Sequence, residues 1–582
     1  MLARSFILLI LVAFCGGASA FGQTEPPSPV ASPTPFGRDK AGVAPDEVKG
    51  VPQIAPNFKT DDRSLPDLGR VGVEMTDQRP MTVREAIALA LDNNKDIEVT
   101  RKNVKIAEFD LQSARGFFQP RLTGQTAYER ATAPNVSIFS SNQNTTTGSL
   151  VGNAALQGYV PSFGTVLTAN VSNQRLTSNN PISILSPQYN ASIGFTVTQP
   201  LLRGRGFDQG RRSIEIAKRN LSLTDAQFRQ RSIEIITSVQ RAYWDLTFAL
   251  RNLQVQRDAV RDAKDQLEHN RRLVEEGQLA PIDIVASETQ VANFEQAVYD
   301  ALNTVTQTEN ALKNLISPNR YDRVWAESIT PVDPVDLKAP STTLVEAIEA
   351  AMQNRPELEL NKVQKDINEV DRKFYKNQSK PQIDLVASYT SSGVGGSQNP
   401  DFNPSFPTPC STDPNSPACQ QQQANLELLT GNPYNGIFRN KYPTFRIGVQ
   451  FNLPLFGDKT AKAQLGRSLV EGERIETQRE QLEQNIQVDV RNAIQSVRTA
   501  EARLRAASVA RENNAKQYES EQRKLDAGQS DVYKVLERQT ALTNARSGEL
   551  RAQTELNKAI ADLQRATGNS LKANDVVTML RR

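Results

Sequence analysis

The chain has 582 residues, 38% of them apolar, with 68 basic against 65 acidic side chains and a net charge of +3. That length exceeds one ordinary domain, and the apolar share is below that of a compact globular protein. The balanced charge gives no basis for nucleic-acid binding, and a lone histidine, His269, makes a histidine-rich metal site or a Ser-His-Asp triad hard to build.

The N-terminus opens with Arg4, an apolar run from Phe6 to Phe14, and Ala18-Ser19-Ala20. A positive end, a short apolar core and a small-x-small site read as a secretory signal peptide, cleaved after Ala20. The run is too short to span a membrane as a helix. Lipidation at Cys15 is the alternative, although Phe14 stands where a small residue is wanted. Residues 21–80, with Pro26, Pro27, Pro29, Pro33 and Pro35, read as an extended or disordered arm.

At Thr82 the pattern turns helical, with Glu85 at capping-box spacing and Ala86, Ile87, Leu89, Ala90 and Leu91 following. Asn93-Asn94 interrupts, and a second helix runs from about Asp96 to Phe118, where Pro120 stops it. The passage returns 261 residues later without a gap. Thr82, Glu85, Asn93, Asp110, Pro120 and Tyr128 match Thr343, Glu346, Asn354, Asp371, Pro381 and Tyr389. The chain is therefore read as a duplication.

Alternation follows each proline. Ile193, Phe195 and Val197 alternate with small polar residues, as do Phe445, Ile447, Val449, Phe451 and Leu453. Period two with one apolar face marks strands, at a length that spans a tilted bilayer; a half-buried sandwich strand shares the pattern. Polar loops separate the paired strands. The loop at 130–190 has room for an extra hairpin around Val160–Ser172, and the one at 394–442 holds Cys410 and Cys419, which read as a disulfide in an oxidising compartment.

Two long proline-free stretches come next. Ile233, Ile236, Val239, Tyr243, Leu246, Leu250 and Leu253 form one apolar row, and Ile486, Val490, Ile494, Val497, Ala500, Leu504 and Ala507 the other. Their spacing is the coiled-coil period. Helices over about 210–275 and 459–526 would each be roughly 100 Å long. Each ends at a glycine, Gly277 or Gly528, and a helix of half the length returns over about 282–315 and 532–567. The expected organisation is a signal peptide at 1–20, the arm at 21–80, a first unit at 81–316, a linker at 317–341, a second unit at 342–568 and a tail at 569–582. The β-hairpins are expected at about 121–198 and 382–453, and the helical hairpins at about 207–315 and 459–567.

Two hairpins give four strands, too few to close a barrel, whereas three copies would supply twelve strands and a ring of helices. The block Met81–Asn94, the junction Gln199-Pro200-Leu201-Leu202-Arg203-Gly204 and the closing helix Leu556–Gly568 together resemble the TolC family of outer-membrane efflux proteins. The resemblance runs from Thr82 to Gly568, in order and duplicated. It implies a mixed α/β fold of two tandem repeats. It further implies a homotrimer with a twelve-stranded outer-membrane barrel and a periplasmic α-helical tunnel. The implied function is a channel-tunnel for efflux or type I secretion, working with a periplasmic adaptor and an inner-membrane RND- or ABC-type pump, without a cofactor and without enzymatic chemistry.

The resemblance also implies site residues. Asp283, Asp531, Lys534 and Glu537 would face the periplasmic aperture, with Lys534 weakening a carboxylate ring or pairing with Asp283 or Glu537. Gly277, Gln278, Leu279, Ala280, Gly528, Gln529 and Ser530 would form the adaptor-docking tips. Two rivals stand beside this reading. A periplasmic adaptor would need long β-rich segments outside its helical hairpin, and a secreted coiled-coil protein would leave the paired strands unexplained.

Overall fold

The computed structural model describes residues 69–135, 142–335, 338–403, 407–454 and 458–576. The expected signal peptide, with Ala18 and Ala20, and most of the expected arm lie outside these residues.

The first repeat opens with β1 (Glu74–Met81), α1 (Val83–Asn93) and α2 (Lys95–Arg115). Thr82 caps α1 by accepting from the Glu85 N–H, but Glu85 does not close a capping box. Its carboxylate turns to Arg79 instead, at 3.1 Å. The second repeat opens with α5 (Leu344–Asn354) and α6 (Pro356–Gln378), after β6 (Glu327–Pro331). There Thr343 and Glu346 form the complete reciprocal box.

β1 and β6 pair in parallel, so part of the expected arm and part of the expected linker meet in one two-stranded sheet. Proline and polar composition hid both strands. They are held tertiarily: Tyr243 at the centre of α3 (Gln209–Glu275) is fully buried against them. Its hydroxyl lies 2.8 Å from Asp333 Oδ2 and 3.0 Å from the Met81 carbonyl. It also accepts from the Val332 and Asp333 N–H groups at 3.1 Å. Burial pushes its ionisation up. Nearby, Arg70 pairs with Glu309 at 2.8 Å with both side chains buried. Lys313, also buried, donates to the Trp325 carbonyl at 3.1 Å.

Six long strands form one antiparallel sheet in the order β2, β3, β4, β5, β7, β8. The first repeat supplies β2 (Arg121–Pro134), β3 (Asn144–Val160), β4 (Thr165–Ser178) and β5 (Leu185–Pro200). The second supplies β7 (Gln382–Gln398) and β8 (Tyr442–Asn452). The expectation of four strands per chain is corrected on this point: the described residues place six in one sheet. The described part of the polar 130–190 segment holds a hairpin of two full-length strands, β3 and β4, whose turn at 161–164 falls where the extra hairpin around Val160–Ser172 was expected. Its residues are Thr, Asn, Gln and Ser on one face, which reads as loop composition when the opposite face is ignored. The sheet is open, and its edges are β2 and β8.

The long helices follow from the sheet. α3 and α4 (Ile282–Ile316) form the first helical hairpin. α10 (Lys459–Asp526) and α11 (Val532–Ala566) form the second. Three short helices, α7 (Pro409–Thr412), α8 (Pro417–Leu429) and α9 (Tyr434–Phe438), lie between β7 and β8, and α12 (Ser570–Ala573) follows α11. At 1.5 Å per residue α3 and α10 are each roughly 100 Å long. α3 packs against α2, α4, α6 and α11, whereas α10 packs chiefly against α6 and α11. From the first row, Ile236, Val239, Tyr243, Leu246 and Leu253 are buried in the first core, and Ile233 is buried outside it. Ile486, Val490, Ile494, Val497 and Ala500 are buried in the second. Ion pairs join the halves along α3: Arg212–Asp371 at 2.7 Å, Arg219–Asp366 at 3.3 Å and Asp245–Lys558 at 2.8 Å.

Candidate functional site: the sheet wall and the helical tips

The pairing registers put every second residue of six strands on one face. On that face Leu156 pairs with Leu122 and with Ala169, Phe195 pairs with Ala169 and with Tyr389, and Tyr389 pairs with Phe445. These side chains are apolar and exposed: Leu122 is 76% accessible, Phe195 55%, Phe445 74% and Ile447 81%. The apolar residues of β8 extend from Phe445 to Phe451, and exposed Leu453 continues them one residue past the strand's end. At about 3.3 Å per residue and a tilt near 40°, they make a band roughly 20 Å tall, close to that of outer-membrane barrels. Tyr128, Leu150, Arg175 and Tyr189 share one row at its upper edge, where aromatic and basic side chains belong at a lipid headgroup level.

The opposite face is polar and internally bonded. Ser172 donates to Asn153 at 2.7 Å, Gln174 to Ser149 at 2.9 Å, and Gln188 to Asn190 at 2.8 Å. A sheet with one greasy exposed face and one wet face is a membrane wall. Among the described residues no helix is long and apolar enough to cross a membrane.

The described residues between β7 and β8 fold onto the upper rows of the apolar face, where Ser391 pairs with Ile193 and Gly393 with Ala191. Ser391 donates to the Ile437 carbonyl at 3.1 Å, and Asn173 to the Tyr434 hydroxyl at 2.6 Å. A Cβ on Gly393 would stand 1.9 Å from the Pro433 carbonyl oxygen, so only glycine admits this contact. Cys410 and Cys419 are joined by a disulfide in this segment.

At the far end, α3 and α10 both stop in a Schellman turn. Gly277 (φ +74°) and Gly528 (φ +68°) take the left-handed position. The Gln278 N–H donates to the Leu273 carbonyl and the Gln529 N–H to the Lys524 carbonyl, each at 2.8 Å. Leu279 is not a free apolar tip residue. It packs on the cluster of Leu525, Val532, Val535 and Leu536, and so joins one helical hairpin to the other. His269 also reaches the second hairpin, lying 3.1 Å from Asp526 Oδ1. Gln522 reaches Gln266 across the same seam at 3.2 Å.

The acidic residues are partly spent on local structure. Asp283 accepts from the Ala280 N–H at 3.2 Å. Asp531 caps α11 by accepting from the Lys534 N–H at 2.9 Å. Lys534 also forms an ion pair with Asp531 at 2.9 Å, not with Asp283 or Glu537. That pair holds the Asp531 carboxyl below its usual range and the Lys534 ammonium above its own. Glu537 is exposed. Exposed Ile282 and Tyr533, 69% and 73% accessible, escaped the sequence reading. Their position one step into the returning helices, off the apolar row, is the signal that would have found them. Among the described residues no His/Cys/Asp/Glu group is placed to hold a metal ion.

An exposed apolar wall continuous with long helices defines a membrane-anchored duct protein. A profile of the outer membrane efflux protein family matches residues 153–317 and 347–569, more than half of the chain, and this chain belongs to that family. Known folds agree. The outer-membrane channel CmeC of Campylobacter jejuni matches with a TM-score of 0.58 at 15% identity, over 84% of this chain and 86% of that one. The gonococcal outer-membrane channel MtrE, from Neisseria gonorrhoeae in its open state, matches at 0.55 and 17%, over 84% and 89%. The outer-membrane protein VceC of Vibrio cholerae matches at 0.56 and 13%, over 84% and 96%. Among curated protein sequences no relative is detected. The protein is thus an outer-membrane efflux protein, and not an enzyme. The adaptor and secreted coiled-coil readings fall with that assignment.

Proposed function

We propose that three copies of this chain form the exit duct of a tripartite efflux or type I secretion assembly. One observation carries the reading: each chain holds an open sheet with a lipid-type outer face and a polar inner face, continuous with helices roughly 100 Å long. A sheet with free edges in a bilayer is untenable, so copies must close it. The tips then point away from the membrane. Gln278, Ala280, Gln529 and Ser530, with exposed Ile282 and Tyr533, form the surface for a periplasmic adaptor serving an RND- or ABC-type pump. Asp283 and Glu537 supply the negative field of the aperture, and Asp531 with Lys534 is internally neutralised. The test is purification from the outer-membrane fraction, mass measurement and planar-bilayer recording. Expected are a three-chain particle, stable conductance, and a cation preference reduced by Asp283→Asn with Glu537→Gln. A one-chain particle without conductance overturns the reading. Tip replacement that leaves in-cell cross-linking to an adaptor unchanged overturns the docking surface.

A further inference from the structure

We infer that the closed barrel has eighteen strands, with β2 of one copy sealed antiparallel to β8 of the next. This rests on the three-copy reading above and fixes what that reading builds. Six strands from each of three copies give eighteen.

The extra pair β3 and β4 belongs to the wall. It lies inside the sheet, not on its edge, paired without a break from Val160↔Thr165 to Thr147↔Ser178. It also keeps the two faces. Leu150, Leu156, Leu167 and Val171 are on the exposed apolar side, and Asn153, Ser172 and Gln174 are on the polar side. Its turn sits at the sheet-to-helix junction. The Arg211 guanidinium donates to the Pro161 carbonyl, and a Cβ on Gly164 would stand 2.7 Å from the Gly204 carbonyl oxygen.

The registers also say how the seam closes. One row of paired residues runs Arg121, Gln157, Thr168, Thr196, Ser388, Arg446. It starts at the helix-side end of β2 and finishes six residues above the helix-side end of β8 at Asn452. Bringing the two ends level between copies pairs Arg121 with Asn452, a climb of six residues per copy. Repeated three times around eighteen strands, this gives a tilt of about 35°, inside the range for membrane barrels. The register is even, so the faces are kept. It sets Tyr128 against Phe445 and Leu122 against Phe451 on the lipid side, and Glu129 diagonal to Arg446 on the lumen side. Among the described residues, neither Glu129 nor Arg446 has an ion pair in its own chain, and both edge strands are exposed along their length. At this tilt the backbone diameter is roughly 34 Å, against roughly 23 Å for twelve strands.

The experiment uses the full chain in lipid nanodiscs. Ala127→Cys with Arg446→Cys should oxidise to a covalent three-chain band on a denaturing gel, whereas Ala127→Cys with Gln450→Cys should not. End-on images should show eighteen staves near 34 Å. A three-chain particle with twelve staves near 23 Å overturns this inference and leaves the three-copy reading standing. A particle without three chains overturns both. Cross-linking by the Gln450 pair and not the Arg446 pair overturns the register.

Discussion

Phe195 and Thr196 are neighbours on β5 that face opposite sides of the wall, and an arginine at each separates the lipid face from the lumen face. Phe195 pairs with Ala169 and Tyr389 on the apolar side, and Thr196 with Thr168 and Ser388 on the polar side. Phe195 stands five residues from Pro200, the helix-side end of the strand. At about 3.3 Å per residue and 40° of tilt, that is roughly 13 Å into a band of about 20–25 Å, in its middle third. Phe195→Arg should therefore carry nearly the full penalty for arginine at that depth, about 2–4 kcal/mol, or roughly 30- to 900-fold in the folding equilibrium. Thr196→Arg should cost less than about 1 kcal/mol, because its long side chain extends into water. Urea titration in lipid vesicles, followed by heat-modifiable migration, measures both. Equal costs, or a larger cost at Thr196, would refute the assignment of faces.

Two further outcomes follow from the helical half. Tyr243→Phe strips Asp333 and two backbone N–H groups of a buried partner; a loss of about 1–3 kcal/mol is expected, read as a lowered melting midpoint with secondary structure retained at 25 °C. The Asp531 cap should be pH-dependent in one direction. Its carboxyl lies below the usual range in the folded chain. Its contribution is therefore complete above the unfolded value of about 3.9 and is lost as pH falls through the lower folded value. Hydrogen exchange at the first turn of α11 should stay slow at pH 5 and quicken only below the unfolded value; exchange that quickens between pH 7 and 5 would contradict the cap.

The helices were legible because their signal is local. A row at spacing three and four, free of proline and closed by a glycine, needs only backbone geometry. It predicted a helix over about 210–275 where the structure has Gln209–Glu275, and one over 459–526 where it has Lys459–Asp526. The duplication, the capping threonines and the alternating apolar strands were legible for the same reason. Tertiary structure decided the rest. β3 and β4 look like polar loop because a barrel strand shows one wet face to a lumen that does not yet exist in one chain. β1 and β6 are too short to stand alone and form only around buried Tyr243. Leu279 reads as an exposed hydrophobe until the second hairpin supplies Leu525 and Val535 to cover it. Lys534 chooses Asp531 because one helical turn brings them together, whereas sequence alone cannot rank Asp283 or Glu537 against it. Local periodicity thus determined where the chain is helical and which strand residues are apolar. The number of strands in the wall was set by which segments pair edge to edge, the joining of the tips by contacts between the two repeats, and the partner of Lys534 by the cap geometry of α11.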